Sequence, residues 1–437
     1  MLAPFRGIRY ARDRVNGIAN VTSPPYDVIS GGILDHLRAA DPHNVVRLIL
    51  PGEDADATRT AASLLREWLS AGVLIRDRTA ALYLYEQCFH QDGGAHCSWL
   101  QRGIIGLVGL GSPESAGILP HEGVLPGLVA GRRELMAATQ ANLEPIFLIF
   151  DGGQSGGMAV GAADGDTATG VMDRVAAERA PLVSISTEDG VTHRLWRLGD
   201  PAEQAAIAAD LAGRRALIAD GHHRYAAYMD LQAEARGAGH GAGPWDYGLA
   251  FLVDSAAYPP RLGAIHRVLP GLRPDRAAEL AKAAFTVQDL PAGLSLDGAL
   301  QRLAAAGQEG TAFLLAGGPV FRLLSQPDPV QLAASMPASA SAPWQRMDAS
   351  VMQQLLIGRL WGIADSEHDV LIDHDAAGAV QAVASTSAGG TAVISNPPTF
   401  EDVIEIAAHG ERVPRKSTSF GPKPRTGLVL RTFGPSD

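Results

Sequence analysis

The chain has 437 residues, 46% hydrophobic and 19% charged, which is a globular composition with enough apolar material for the cores of two or three domains. Its 36 Lys and Arg against 47 Asp and Glu leave a formal net charge of −11, which opposes a nucleic-acid backbone binder, a class that is normally basic. No run of 18 apolar residues predicts a membrane span, and the opening MLAPFRGIRYARDR lacks the apolar stretch of a secretory signal, so a cytoplasmic location is expected.

The 49 Gly and 28 Pro predict many loops. Gly7–Tyr10 reads as a short extended piece, and the two prolines of VTSPPYDVIS (Val21–Ser30) forbid helix there. Helices are predicted over Leu34–Ala40 and Ala57–Ala71, the second from Leu64, Leu65, Trp68 and Leu69 at helical spacing. Ala81–Phe89 and His96–Leu110 read as a hairpin turned at QDGG. Ile146–Phe150 is a short apolar strand, and Gly152–Gly170, with seven glycines, reads as a loop. Strands Leu182–Ile185, Val191–Leu198 and Arg215–Ala219 follow, with a helix near Ala202–Leu211 before the last. Beyond come a helix over Tyr225–Arg236, a break at Gly237–Gly243, strand Tyr247–Val253 and an extended segment Leu262–Leu269. Gln331–Pro343 reads as a low-complexity surface loop and Asp348–Trp361 as an amphipathic helix. Thr391–Ser395 is a strand. Thr399–His409 is a helix capped by Thr399 with Asp402 three residues on, and closed by Gly410. Thr426–Thr432 is a final strand.

Four places carry chemistry-bearing residues. Asp220-Gly221-His222-His223-Arg224 stands between a predicted strand and a helix, where unpaired amides and the helix dipole favour an anion. Arg224 adds a bidentate donor for phosphate or carboxylate, and Asp220 could cap the helix, orient a histidine or hold a divalent ion beside a phosphate. The alternative is a capped helix with exposed histidines. In Leu119–Gly123 (LPHEG), Glu122 is a candidate general base or a solvated loop carboxylate. Arg132 and Arg133, further on, could reach a phosphate or lie on a solvated helix face. Val413–Ser419 (VPRKSTS) offers Lys416, Ser417 and Thr418 to a phosphate, or is an exposed basic loop; its order is not that of a Walker A motif. Cys88, His90, His96 and Cys97 have zinc-binding side chains, but strand alternation sends His96 and Cys97 to opposite faces. Two cysteines are too few for a disulfide framework.

PFRGIRY (Pro4–Tyr10), SPPYDVIS (Ser23–Ser30), LPHEG, ADGHHRYAAY (Ala219–Tyr228), AIHRVL (Ala264–Leu269) and GERVPRKSTSFGPK (Gly410–Lys423), in this order, resemble the bacterial family of unknown function DUF1015 over essentially the whole chain. The PHE, DGHHR and C-terminal segments, the last including Pro398–Val403, are also distantly similar to free serine kinases of the ParB/sulfiredoxin-like fold. That second resemblance implies Glu122 as catalytic base, with His223 as a second catalytic residue or a ligand of phosphate or metal. It implies Asp220, Gly221, His222 and Arg224 as phosphate or nucleotide ligands, assisted by Lys416, Ser417 and Thr418. Arg132 or Arg133 stands about where those kinases have a Lys. PHE and DGHHR are much further apart here than in the compact kinases, and the first 110 or so residues have no counterpart in them.

The expected fold is therefore α+β. A ParB/sulfiredoxin-like core over residues 111–272, with an insertion near 150–210, carries the DGHHR turn. An N-terminal α/β region (1–110) and a C-terminal one (273–437) flank it. The expected function is transfer of a phosphoryl group from a nucleotide, ATP or ADP with Mg2+, to a small hydroxyl-bearing metabolite such as serine, Asp220 being the candidate metal ligand. The alternative is a nucleotide-binding regulator without turnover. DNA binding is opposed by the charge balance and the lack of a basic helix-turn-helix. Thiol chemistry is opposed by the absence of Cys from the DGHHR turn.

Overall fold

The computed structural model describes residues 2–52, 54–90, 97–111, 117–153, 167–364, 366, 368–385 and 389–433. By contacts the chain divides into two compact units. The first comprises Met1–Leu119, Val124–Pro260 and Pro422–Asp437; the second comprises Pro120–Gly123 and Arg261–Gly421. The sequence expectation divided the chain instead at 110 and 272. Both units are mixed α and β.

The first unit is built on a nine-stranded mixed sheet. Its main order is Ile118–Leu119, Ala216–Asp220, Ile146–Phe150, Tyr247–Asp254, Trp99–Gly109, Leu82–Phe89, Val191–Leu198 and Val183–Ser186, with Leu2–Ala3 also paired to Trp99–Gly109. Two pairings are parallel, Ala216–Asp220 with Ile118–Leu119 and Tyr247–Asp254 with Ile146–Phe150; the others are antiparallel. Alternate residues point to one face, as the strand period of two requires. Leu82, Leu84, Ile104, Val108, Ile146, Leu148, Phe150, Ile218, Ala250 and Leu252 form that face. It packs on Val129 and Met136 of helix Pro126–Thr139, Val171 and Val175 of Ala168–Glu178, Ile207 and Leu211 of Pro201–Leu211, and Ala227 and Tyr228 of His222–Gly237.

The second unit has a six-stranded antiparallel sheet ordered Thr286–Asp289, Arg322–Ser325, Ala312–Ala316, Thr391–Ser395, His266–Leu269, Leu371–Asp373. It is covered on both sides. Phe313, Leu315 and Val393 face one cluster with Ala277, Leu355 and Leu356. Leu314, Ala392 and Ile394 face another with Ala299, Leu303 and Val383.

Several expectations change. Gln331–Pro343 is not one loop: Pro329–Ser335 and Ala342–Arg346 are helical, started by Asp328 and Ser341, whose side chains accept from Gln331 N and Trp344 N. Thr167 caps a helix from Ala168, so the expected Gly152–Gly170 loop ends early; residues 154–166 lie outside the described set. The helix expected over Asp348–Trp361 winds as α only to Val351 and then as π over Met352–Leu360, with Trp361 N reaching back to Leu356 O. Thr426–Thr432 is a strand at Arg431–Thr432 and makes isolated bridges at Thr426 to Ser23 and at Leu430 to Ile8, with Gly427 at φ 95° between them. Cys88 and Cys97 are joined in a disulfide across the hairpin, with Cα atoms 5.5 Å apart, so neither offers a thiolate to the zinc site that strand alternation already opposed. His96 and the QDGG turn lie outside the described residues.

A buried histidine in the first unit makes stability pH-dependent. His193 Nδ1 is 2.8 Å from the Tyr85 hydroxyl and its Nε2 3.2 Å from Thr187 Oγ1. Burial first, and then the Arg425 charge, pull its pKa down to about 3 against a weak opposing effect of Asp189. The unfolded chain binds this proton near the ordinary value and the folded chain does not, so stability falls as pH drops from about 6.5 toward 3. The expected loss from this one group is about 2 kcal/mol between pH 7.5 and 5. Urea unfolding at both pH values checks it: His193→Gln should remove that share of the acid-side slope, and an unchanged slope would contradict it.

Candidate functional site

The first unit builds one charged cluster around the end of strand Ala216–Asp220. The strand stops at Gly221, whose φ of 95° is left-handed, and helix His222–Gly237 begins at the next residue. A Cβ at this position would also approach Ile146 Cγ2 to 3.0 Å. The turn thus sets Asp220 at the strand end and presents the first amides of a 16-residue helix.

Arg224 lies one helical turn further on, with only 2% of its surface exposed. Its NH1 donates to Pro145 O at 2.5 Å and its NH2 to Asp220 Oδ2. The sequence reading put this guanidinium on a phosphate; here it is held by Asp220 and the Pro145 carbonyl. Lys423 Nζ bridges Asp220 Oδ1, at 2.6 Å, and Asp27 Oδ2. Burial works against the charge on Lys423, but Asp220 and Asp27 outweigh it and raise the pKa. Burial likewise pushes the Asp27 carboxyl up, and Lys423 and Arg224 together bring it below its ordinary value.

Tyr26 forms a wall of this cluster. The Arg132 guanidinium lies 4.4 Å from its ring centroid and that of Arg224 lies 5.8 Å away. The buried Glu144 accepts from Tyr26 N at 3.1 Å and from Thr426 Oγ1 at 3.2 Å. Burial raises the Glu144 pKa, with Arg224 and then Arg132 opposing. Arg132 therefore reaches the cluster through Tyr26, whereas Arg133 pairs with Glu234 at 2.5 Å. His223 Nε2 accepts the Leu125 N–H at 3.1 Å. His222 is buried at the helix start.

The second unit holds the other motifs. The chain enters it for only four residues, Pro120–Gly123, before returning to the first unit. His121, fully buried, places Nε2 2.8 Å from Thr418 Oγ1 and its ring edge-on to Phe420. Its carbonyl accepts from Val413 N at 2.8 Å. Glu122 Oε1 accepts from Lys416 N at 2.7 Å, and its carbonyl from Arg412 NH1 at 2.7 Å. The Lys416 backbone, at φ 54°, is one of the few non-glycine residues in the left-handed region. The buried Arg267 secures that loop by donating to Arg415 O at 3.0 Å and Lys416 O at 2.9 Å. Ser417 is buried, its hydroxyl on Pro414 O.

Two groupings thus emerge: Asp27, Tyr26, Arg132, Glu144, Asp220, Arg224 and Lys423 in the first unit, and His121, Glu122, Lys416 and Thr418 in the second. Sequence reasoning gave no role to Asp27, Tyr26, Glu144, His121 or Lys423. Asp27 and Lys423 nevertheless stood in plain view, one after a Pro-Pro turn and the other between Pro422 and Pro424. Among the described residues no group of three or more His, Cys, Asp or Glu could hold a metal ion, and no helix is long and apolar enough to cross a membrane.

A family model described as "Protein of unknown function (DUF1015)" matches residues 2–350. A search of curated proteins finds no match. Among solved structures, a free serine kinase in complex with AMP is similar at 14% identity and a TM-score of 0.34, over 70% of this chain and 86% of that one. SbnI with a C-terminal truncation, from Staphylococcus aureus, is similar at 11% identity and 0.35, over 72% and 82%. A conserved hypothetical protein from Pyrococcus furiosus is similar at 13% and 0.34, over 72% and 90%. TM-scores this low carry no argument about the site.

Proposed function

The chain belongs to the DUF1015 family, and for it we propose nucleotide-dependent transfer of a phosphoryl group to a small hydroxyl-bearing metabolite such as free serine. The observation that carries this reading is the strand–glycine–helix turn at Asp220–Arg224, with Asp27 and Lys423 gathered on its carboxylate. Helix-start amides donate to phosphate oxygens, and the dipole favours their charge. Asp220, Gly221 and His222 form the phosphate seat, and Arg224 positions Asp220. Lys416, Ser417 and Thr418 assist, and Arg132 or Arg133 takes the acceptor or a phosphate. The same proposal keeps a ParB/sulfiredoxin-like core around this turn.

Glu122 is the proposed base of the reaction. It takes the proton of the attacking hydroxyl as the new O–P bond forms and the bond to the nucleotide breaks. His223, whose Nε2 accepts the Leu125 N–H, is the second proton-handling group. The donor set suits Mg2+, since Asp220 and Asp27 supply two carboxylates and that ion commonly takes one or two plus phosphate oxygens. When bound, the ion neutralises phosphate charge.

The second reading, nucleotide binding without turnover, is favoured by one observation: Glu122 Oε1 is engaged by the Lys416 amide. One experiment separates the two. Thermal unfolding is followed with AMP, ADP and ATP, with and without Mg2+, and phosphoserine is then assayed with serine present. The first reading expects stabilisation, about 2.7 kcal/mol at a ligand excess of a hundredfold over Kd, and phosphoserine. Stabilisation with no product from any small alcohol supports the second. No stabilisation by any nucleotide removes both.

A further inference from the structure

We propose that Lys423 is an internal stand-in for a divalent cation, its ammonium filling a metal position between Asp27 and Asp220 that metal loading reopens. This rests on the reading of the Asp220–Arg224 turn as a phosphate site.

The geometry comes first. Two carboxylates from distant parts of the chain, Asp27 after the Pro24–Pro25 turn and Asp220 at a strand end, converge on one cation, Lys423 Nζ. Such a pair repels unless a cation lies between its members. Asp220 gives Lys423 one oxygen and Arg224 the other, so it is already oriented for a ligand on the Lys423 side.

Charge comes second. Asp27, Asp220, Lys423 and Arg224 sum to zero, and a neutral set offers an incoming phosphate little. Exchanging the ammonium for a divalent ion leaves the set one unit positive at a helix N-terminus, and the displaced Lys423 adds a further cation. Metal and phosphate binding are then positively coupled, each raising the affinity for the other.

An independent observation points to a polar ligand at the same turn. Arg224 Nε is buried and has no hydrogen-bond partner among the described residues. The exchange needs no backbone change. Pro422 and Pro424 restrict the chain on either side of Lys423, and Arg425 N is anchored on the Tyr85 hydroxyl at 3.1 Å. Only the Lys423 side chain has to swing, a rapid rotamer motion.

The test is Mn2+ binding to the full chain without nucleotide, by titration calorimetry or the free-ion paramagnetic signal. Lys423→Met keeps the stem and removes the charge. It should bind Mn2+ at least tenfold more tightly than the wild type, and adding Asp27→Asn should cancel the gain. Circular dichroism and thermal unfolding are checked first, and Lys423→Gln, expected to change in the same direction, serves if the Met variant does not fold. Folded variants with Mn2+ affinity within twofold of the wild type would overturn the proposal. If nucleotides stabilise the wild type but the variants gain no metal affinity, the exchange fails and the functional reading stands. If the variants gain Mn2+ and no nucleotide binds, the exchange stands and the functional reading fails.

Discussion

Replacing Arg224 by Met should destabilise the protein by about 3–5 kcal/mol, the range for breaking a buried ion pair by removing one partner. The guanidinium is almost wholly buried and serves several groups at once. It donates to Asp220 and to the Pro145 carbonyl, and its field acts on Glu144, Asp27 and Tyr26. Met fills similar space and carries no charge, so Asp220 loses one of its two cations and Glu144 the larger of its two compensating charges. The deficit should also depend on pH. A carboxyl with a raised folded pKa adds stability below its unfolded pKa and loses it as pH rises through the folded value. Glu144 is already raised by burial, and loss of Arg224 raises it further. The deficit measured by urea unfolding should therefore be larger at pH 8 than at pH 5.5. A loss under 1 kcal/mol at both would show that Arg224 does not hold the cluster together.

Glu122→Gln should lower kcat for phosphoryl transfer by about 10²–10⁴-fold, the usual contribution of a positioned general base. The amide keeps an oxygen to accept from Lys416 N, so the loop that Glu122 Oε1 now fixes should be preserved. Nucleotide affinity should accordingly stay within about threefold, because the loss falls on a transition-state interaction alone. Steady-state kinetics with a separate binding titration check both. A variant as active as the wild type would remove Glu122 as the base, and a parallel loss of affinity would assign it to loop structure instead.

What the sequence disclosed followed from local rules. Strands Ile146–Phe150, Val191–Leu198 and Thr391–Ser395 fall where their apolar runs and turn signals put them. Thr399 and Gly410 bound their helix as capping chemistry requires, although the Thr399 hydroxyl also bonds the Asp402 carboxylate. The Asp220–Arg224 turn was legible because a strand meeting a helix at glycine is a local pattern. Its partners were not, because Asp27 and Lys423 reach Asp220 only through tertiary contacts that no spacing rule encodes. The fate of Arg224 was hidden for a similar reason. Arginine beside a helix start reads as a ligand donor, and no local rule encodes its bonds to Pro145 O and Asp220 in the folded chain. Helix Pro126–Thr139, which carries Arg132 and Arg133, has its apolar positions spaced around small residues and gave a weak periodic signal.

The central claim is that phosphate binds at the start of helix His222–Gly237, and a crystal structure grown with Mg2+ and a non-hydrolysable ATP analogue tests it most directly. The account predicts phosphate oxygens within hydrogen-bond distance of the His222 and His223 amides, with Lys423 turned away from Asp27. Nucleotide bound elsewhere on the molecule, with the Lys423 bridge to Asp27 and Asp220 intact, would contradict it.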